Sequence, residues 1–275
     1  MAPETYVDAR HWGPRLRYSA TNHEIGEFYE FVRTKQAKFT LFGSGDFHHL
    51  SALWLRRIAE PFTLVSFDNH PDWDIRPPRW GCGTWINRAL ELPNLRQAAI
   101  WGCGNFELNW PANLFVNHRA LRAQRLEVWP WTERLEPSGR RRWLGVTRAN
   151  WQDQFSKFTR RLAGHHVYVT VDLDCLNSNE SATNWEHGLF TAADIVWALG
   201  EIGVQAEIVG GDLCGAYSEP VYARWTQKVA ATFDHPRQPV ALRKEENERN
   251  RRAFRTIWEA LTRGGPPGVS AEIWQ

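Results

Sequence analysis

Residues 61–74 read PFTLVSFDNHPDWD, a mostly apolar run that opens into Asp68, His70, Asp72 and Asp74. FTLVSF has the length and the β-branched and aromatic content of a buried strand. Side chains two apart on extended backbone project to the same side, so Asp68, His70 and Asp72 can converge on one point beyond the strand's end. That is a metal-ligand spacing, and Asp74 falls outside it. A lone D-x-H is equally a solvated turn, because Asp, Asn and Pro are ordinary turn residues. What decides between the two is how the other strands end.

Working outward, KFTLFGSGDFHHL (38–50) reads as strand, glycine turn and helix start, and AAIWGCG (98–104) as a strand ending in glycines. RLEVWPW (125–131) is a short strand stopped by Pro130. HHVYVTVDLDCL (165–176) is the least ambiguous strand, and QAEIVGGDLCGAYSEP (205–220) is another with a glycine-rich end. Between them lie helical patterns: Ile25, Phe28, Phe31 and Val32; Leu50, Leu53, Trp54 and Ile58; a short helix around residues 85–92; one from about Trp151; one with Thr191 as N-cap; and a charged helix, roughly 244–263, whose stripe is Phe254, Ile257, Trp258 and Leu261. The first 23 residues read as irregular, and residues 105–124 give weak signals. Alternating strands and helices predict one domain over residues 1–275, an α/β chain with a mainly parallel sheet covered on both faces. Ligands of such sheets bind outside the carboxyl ends of the strands, where the polar groups after Gly45, Asp68, Asp172 and Asp212 fall.

Composition narrows the partners. The 33 basic and 31 acidic residues leave a formal charge of +2, which gives no global field for nucleic acid or an anionic membrane. The basic run Arg140, Arg141 and Arg142 reads as a solvated loop. No apolar run approaches the roughly 20 residues of a spanning helix. The four cysteines, at 82, 103, 175 and 214, make no C-x-x-C pair, so the expectation is a reduced, cytoplasmic protein without a structural zinc site. Sixteen tryptophans fit either a dense core or a groove for a peptide. Trp73, Trp80 and Trp85 are the groove candidates, with core packing the commoner use.

The candidate ligands are His48 or His49 from the first strand end, Asp68, His70 and Asp72 from the second, and Asp172 and Asp174 from the third. Carboxylates with a minority of imidazoles suit a harder divalent ion such as manganese. Four carboxylates so close raise one another's pKa, and two divalent ions offset their charge. Paired ions can share a water and present it as hydroxide at neutral pH.

GSGDFHHLS, SFDNHPDWD and VTVDLDCLN, in that order, resemble the three metal-binding motifs of the arginase, agmatinase and ureohydrolase superfamily, written G-G-D-H-S, D-A-H-x-D and S-x-D-x-D-x-x-D-P. The second is matched at every ligand position, and Asp172 and Asp174 match the third, whose final Asp-Pro is absent. The first carries one extra residue; aligning Leu50 with the family's leucine selects His48 as the ligand. The resemblance implies a three-layer α/β/α arginase-like fold, two Mn2+ ions and hydrolysis of a guanidino group to amine and urea. It also implies an acid from the late strand against the substrate cation. Asp212 fits that role, with Glu219 and Glu186 in reserve, while a loop acid capping amides is an equal reading of Asp212. After Asp74, IRPPRWGCGTWINRAL is largely without the polar residues with which free-arginine enzymes hold the amino-acid head group, and without the proton-shuttling histidine that follows them. The departure points to the peptide-arginase branch, which converts arginine to ornithine within peptides, with Trp85 and Glu186 as further substrate contacts and His49 and His187 as candidate proton donors beside the catalytic Asp72. The alternatives are hydrolysis of a small guanidino compound, an amide deacetylase of the same fold with a single zinc, and a non-catalytic binding module; a homo-oligomer is compatible with any of them.

Overall fold

The structure, a computed structural model, describes residues 6–235 and 244–263. The expected single-domain span also includes residues 1–5, 236–243 and 264–275, which lie outside the described ones. The strands are β1 (Ser19–Ala20), β2 (Phe39–Leu41), β3 (Phe62–Phe67), β4 (Trp80–Gly81), β5 (Leu95–Trp101), β6 (Leu126–Trp129), β7 (His166–Asp172) and β8 (Glu207–Cys214). Six form one sheet in the order β2-β8-β7-β3-β5-β6, with every pair parallel. β1 and β4 make a separate antiparallel ribbon.

The pleat sorts the side chains onto two layers. Leu64, Ala98, Ile100 and Tyr168 pack with Ile25, Phe28, Leu53, Trp54 and Ile86 of the N-terminal half. Val65, Phe67, Ala99, Trp101, Val169 and Val171 face the other way, against Phe155, Phe158, Ile195, Leu199, Phe254, Ile257 and Leu261. Helices therefore cover both faces, and the fold is the three-layer α/β/α arrangement read from the sequence. Burying each of these large apolar side chains stabilises the fold by about 1.5–3 kcal/mol.

Helix ends follow the local chemistry. Thr21 and Glu24 form a reciprocal capping box before Asn22–Val32, and Thr191 and Asp194 do the same before Ala192–Gln205. The pattern at Leu50, Leu53 and Trp54 is realised as 3-10 turns flanking a single α-turn, Ser51–Trp54. The helix Trp225–Asp234 turns its apolar stripe, Trp225, Val229 and Phe233, to solvent. No helix among the described residues is long and apolar enough to cross a membrane.

One consequence of the pleat reaches the site. Ser66, Thr170 and Asp212 belong to the alternate positions that face the N-terminal layer, and Thr170 pairs in register with Asp212. Asp68 and Asp172 continue these rows to the carboxyl edge. Polar groups thus line up toward the turn Gly45–Leu50, which brings His48 against them.

Candidate metal centre

Asp68 and Asp172 close their strands in the same way. His70 N–H donates to Asp68 Oδ1 (2.7 Å), and Asp174 N–H donates to Asp172 Oδ1 (3.0 Å). These side-chain turns bend the chain, so the D-x-H and D-x-D ligands converge through turns and not through the extended pleat expected from their spacing. Asp72 sits in left-handed backbone, φ 48°, which Asp tolerates better than most residues.

His48 Nδ1 lies 3.0 Å from Asp68 Oδ2, 3.4 Å from Asp72 Oδ2 and 3.6 Å from Asp172 Oδ2. His70 Nδ1 lies 2.8 Å from Asp174 Oδ2 and 3.6 Å from Asp68 Oδ1. Donors about 2.1 Å from one ion stand about 3.0 Å apart at right angles and about 3.4 Å apart at the tetrahedral angle. The observed separations fit two such polyhedra, one around His48, Asp68 and Asp72 and one around Asp68, His70 and Asp174. Asp68 turns one oxygen to each. His48, Asp68, His70, Asp72, Asp172 and Asp174 all come together, whereas His49 turns away with both ring nitrogens unpartnered among the described residues. Burial pushes His49 down to about 3.

The far sides of these ligands are held too. His48 Nε2–H donates to Thr170 Oγ1 (2.8 Å), Thr170 O–H donates to Asp212 Oδ1, and Tyr168 O–H donates to Asp212 Oδ2 (2.7 Å). His70 Nε2 lies 3.1 Å from Glu186 Oε2. Both arrangements hold a proton on Nε2 and aim Nδ1 at the carboxylates, where it would turn its lone pair to an ion on giving up its own proton.

Asp212, Trp85, His49 and His187 stand outside the lining of the cavity. Asp212 is fully buried within β8, which runs on to Cys214, and it does not reach the cavity. It is linked to His48 through Thr170. Trp85 is also fully buried, and its Nε1–H donates to Asp72 Oδ2 (2.6 Å), so it orients a ligand and lines no groove. Trp73 and Trp80 are core as well. His187 points its Nε2 at the Ser181 carbonyl (3.1 Å) and His49 lies behind His48; neither lines the cavity, so neither is placed to protonate a leaving amine. Glu186 is also outside the lining, its carboxylate against His70 Nε2. Replacing Trp85 with Phe keeps the packing and deletes the indole donor. The expected result is about 10- to 100-fold weaker binding of one ion, measured by metal titration of the stripped protein.

Bringing these groups together is electrostatically costly. Burial and the Asp68 charge push Asp72 up to about 7, and burial with Asp172 and Asp68 drives Asp174 well above the carboxylate range. Burial opposes the imidazolium forms, yet Asp68 and Asp72 hold His48 high, and Asp174 holds His70 high. Such a cluster prefers compensating positive charge, which divalent ions supply.

A cavity of about 240 Å³ lies over the cluster. Its walls include Tyr18, Asp74, Glu107, Trp185 and Asp234, with Arg76 among its lining residues. Asp74 is paired to Arg76 and Asp234 accepts from Tyr18 O–H. Glu107 Oε2 has no partner among the described residues, and burial raises this carboxyl to about 8. Glu107, Tyr18 and Asp234 carry no ligand spacing, so nothing in their sequence marked them. Only proximity to strand β5's end could have singled out Glu107.

No protein-family model matches the chain. An uncharacterised protein of Thermotoga maritima is 27% identical over 201 residues, covering 73% of this chain and 66% of that protein's length, just under two-thirds. Among solved structures, a variant of Trypanosoma cruzi formiminoglutamase with Mn2+ superposes with a TM-score of 0.54 at 15% identity, over 92% of this chain and 74% of that one. The proclavaminate amidino hydrolase of Streptomyces clavuligerus gives 0.50 at 14%, over 88% and 70%. The chain therefore has the arginase-like fold of these amidino hydrolases.

Proposed function

We propose that the chain is a binuclear metal hydrolase that acts on the guanidino group of arginine within a peptide, releasing urea and leaving ornithine. The observation that carries this reading is Asp68, which turns one oxygen toward each of two imidazole and carboxylate groups at the floor of an acid-walled cavity. Two divalent ions held there, by His48, Asp68, Asp72 and Asp172 on one side and Asp68, His70 and Asp174 on the other, supply a Lewis-acid centre and a water acidified to near neutrality.

The chain's own residues account for the rest. Thr170, Asp212, Glu186 and Trp85 fix the ligands in place, so that little reorganisation is needed during reaction. Asp74 and Asp234 give the cavity the sign of potential that draws in a guanidinium, and Glu107, held up near 8 by burial, gives up its proton as a cation takes its place beside it. The carboxylates of Asp74 and Asp234 are engaged by Arg76 and Tyr18, which leaves Glu107 as the wall acid available to a planar cation. A peptide rather than free arginine is supported by the mouth. Ile75 and Phe106 are 60% and 56% exposed, and Trp110 and Leu114 are exposed on the same bordering segment. These apolar groups suit a peptide lying across the rim. A small guanidino amine is the second reading, favoured by Asp234, whose partner Tyr18 is a neutral hydroxyl and not a cation, so that a second positive charge could pair there. A single-zinc deacetylase would use only one half of the cluster, and a binding module neither.

The test is urea release by Mn2+-loaded protein from arginine-containing peptides, agmatine, guanidino acids and free arginine. Peptides are expected to lead, and equal rates from free arginine would overturn the peptide assignment. Glu107→Gln keeps the shape and removes the carboxyl that would ionise against a bound cation. It is expected to lower kcat/KM on the best substrate about 10- to 100-fold while leaving metal content unchanged.

A further inference from the structure

Cys214 closes β8, fully buried, with its thiol donating to Asp172 Oδ2 at 3.2 Å. Two other buried cysteines serve as packing groups, Cys103 in the N-terminal core layer and Cys175 in the opposite one. Cys214 belongs to neither apolar cluster; its sulfur is turned to the metal-facing carboxylate. A ring nitrogen of His48, a carboxylate oxygen of Asp172 and Cys214 Sγ all lie within 4.8 Å of one another, the same compass as His48, Asp68 and Asp72, and His48 Nδ1 stands 3.6 Å from Asp172 Oδ2. An oxygen about 2.1 Å and a sulfur about 2.3 Å from one ion stand about 3.1 Å apart at right angles, close to the observed 3.2 Å.

We propose that Cys214 is a thiolate ligand to the ion on the His48 side, giving this half of the centre a nitrogen, oxygen and sulfur donor set unlike the imidazole and carboxylate set around His70. On binding, a metal–sulfur bond forms as the S–H proton leaves to solvent, and no electrons change hands. Metal coordination deprotonates a thiol outright. A sulfur donor shifts preference toward softer ions such as zinc or cobalt, so the two halves differ in selectivity, with manganese favoured at His70. The inference rests on the cluster being a metal centre, and not on the identity of the substrate.

Cobalt(II) tests it without reference to catalysis. The full chain, stripped and reloaded with Co2+, is expected to show visible ligand-field bands together with an intense near-ultraviolet thiolate-to-cobalt band. Cys214→Ser is expected to lose the near-ultraviolet band, retain the visible ones, and bind cobalt on the His48 side at least about tenfold more weakly. Cys175→Ser should keep both sets of bands. Loaded wild-type protein without the near-ultraviolet band would overturn the proposal, even if Cys214→Ser failed to fold; so would persistence of the band in a folded Cys214→Ser variant. Wild-type protein that binds no cobalt, zinc or manganese would overturn the metal centre itself, a distinct result that removes this proposal with it.

Discussion

Asp68→Ala is expected to lose both ions, leaving less than one metal per chain by elemental analysis and lowering urea release by at least about a thousandfold. The expectation follows from the two directions in which this side chain works. Oδ2 lies 3.0 Å from His48 Nδ1, and Oδ1 lies 3.6 Å from His70 Nδ1 while capping the His70 amide. Removing it deletes a donor from each half and also releases the turn that aims His70. Asp72→Asn touches only the His48 side and should lose one ion. Asp74→Asn is the control, because Asp74 is bound to Arg76 at the mouth and not to the cluster. Its metal content should stay at the wild-type level. Equal losses from all three would mean that the cluster binds diffusely, with no bridging carboxylate.

Much of this centre was legible in the sequence because ligand chemistry constrains residue type and spacing together. Asp68, His70 and Asp72, then Asp172 and Asp174, had to be short-range neighbours at strand ends, and alternating strands and helices had to be a parallel sheet covered on both faces. The supports were not legible, for a physical reason. Whether Asp212 meets substrate or steadies His48 depends on its register opposite Thr170 and on β8 continuing two residues beyond it. The indole of Trp85 reaches Asp72 only because the intervening loop folds back on itself. Glu107 stands in a stretch of 3-10 turns without periodicity, where side-chain direction cannot be read from pattern. The apparent surplus of tryptophan was mostly core: Trp73, Trp85, Trp101, Trp131 and Trp151 are all among the largest fully buried side chains. The exposed apolar groups on the segments beside the cavity are instead Ile75, Phe106, Trp110 and Leu114.

The strictest backbone requirement in the site lies one residue beyond Cys214. Gly215 adopts φ +100°, a conformation that side-chain-bearing residues rarely take. A Cβ built there would stand 2.1 Å from Asp172 Oδ1 and 2.4 Å from the Leu173 amide nitrogen. Neither neighbour can yield cheaply. Asp172 Oδ1 is held by the Asp174 amide, and Asp172 Oδ2 by the Cys214 thiol. Leu173 is fully buried beneath the site. Gly215→Ala must therefore displace the Asp172 carboxylate or twist the end of β8, and either movement disturbs the His48 side first. The expected outcome is loss of the His48-side ion and at least about a hundredfold fall in urea release, with a midpoint of thermal unfolding lowered by several degrees, corresponding to about 1–3 kcal/mol. The ion on the His70 side should be affected less, since the nearest atoms to the added Cβ belong to Asp172 and Leu173 and not to Asp68, His70 or Asp174. Gly200→Ala offers the matched comparison, because a Cβ at that helical position meets nothing within 4 Å; there the same added methyl should be neutral or slightly stabilising. A Gly215→Ala protein with wild-type metal content and activity would show that the close approach of β8 to Asp172 is not what shapes the site.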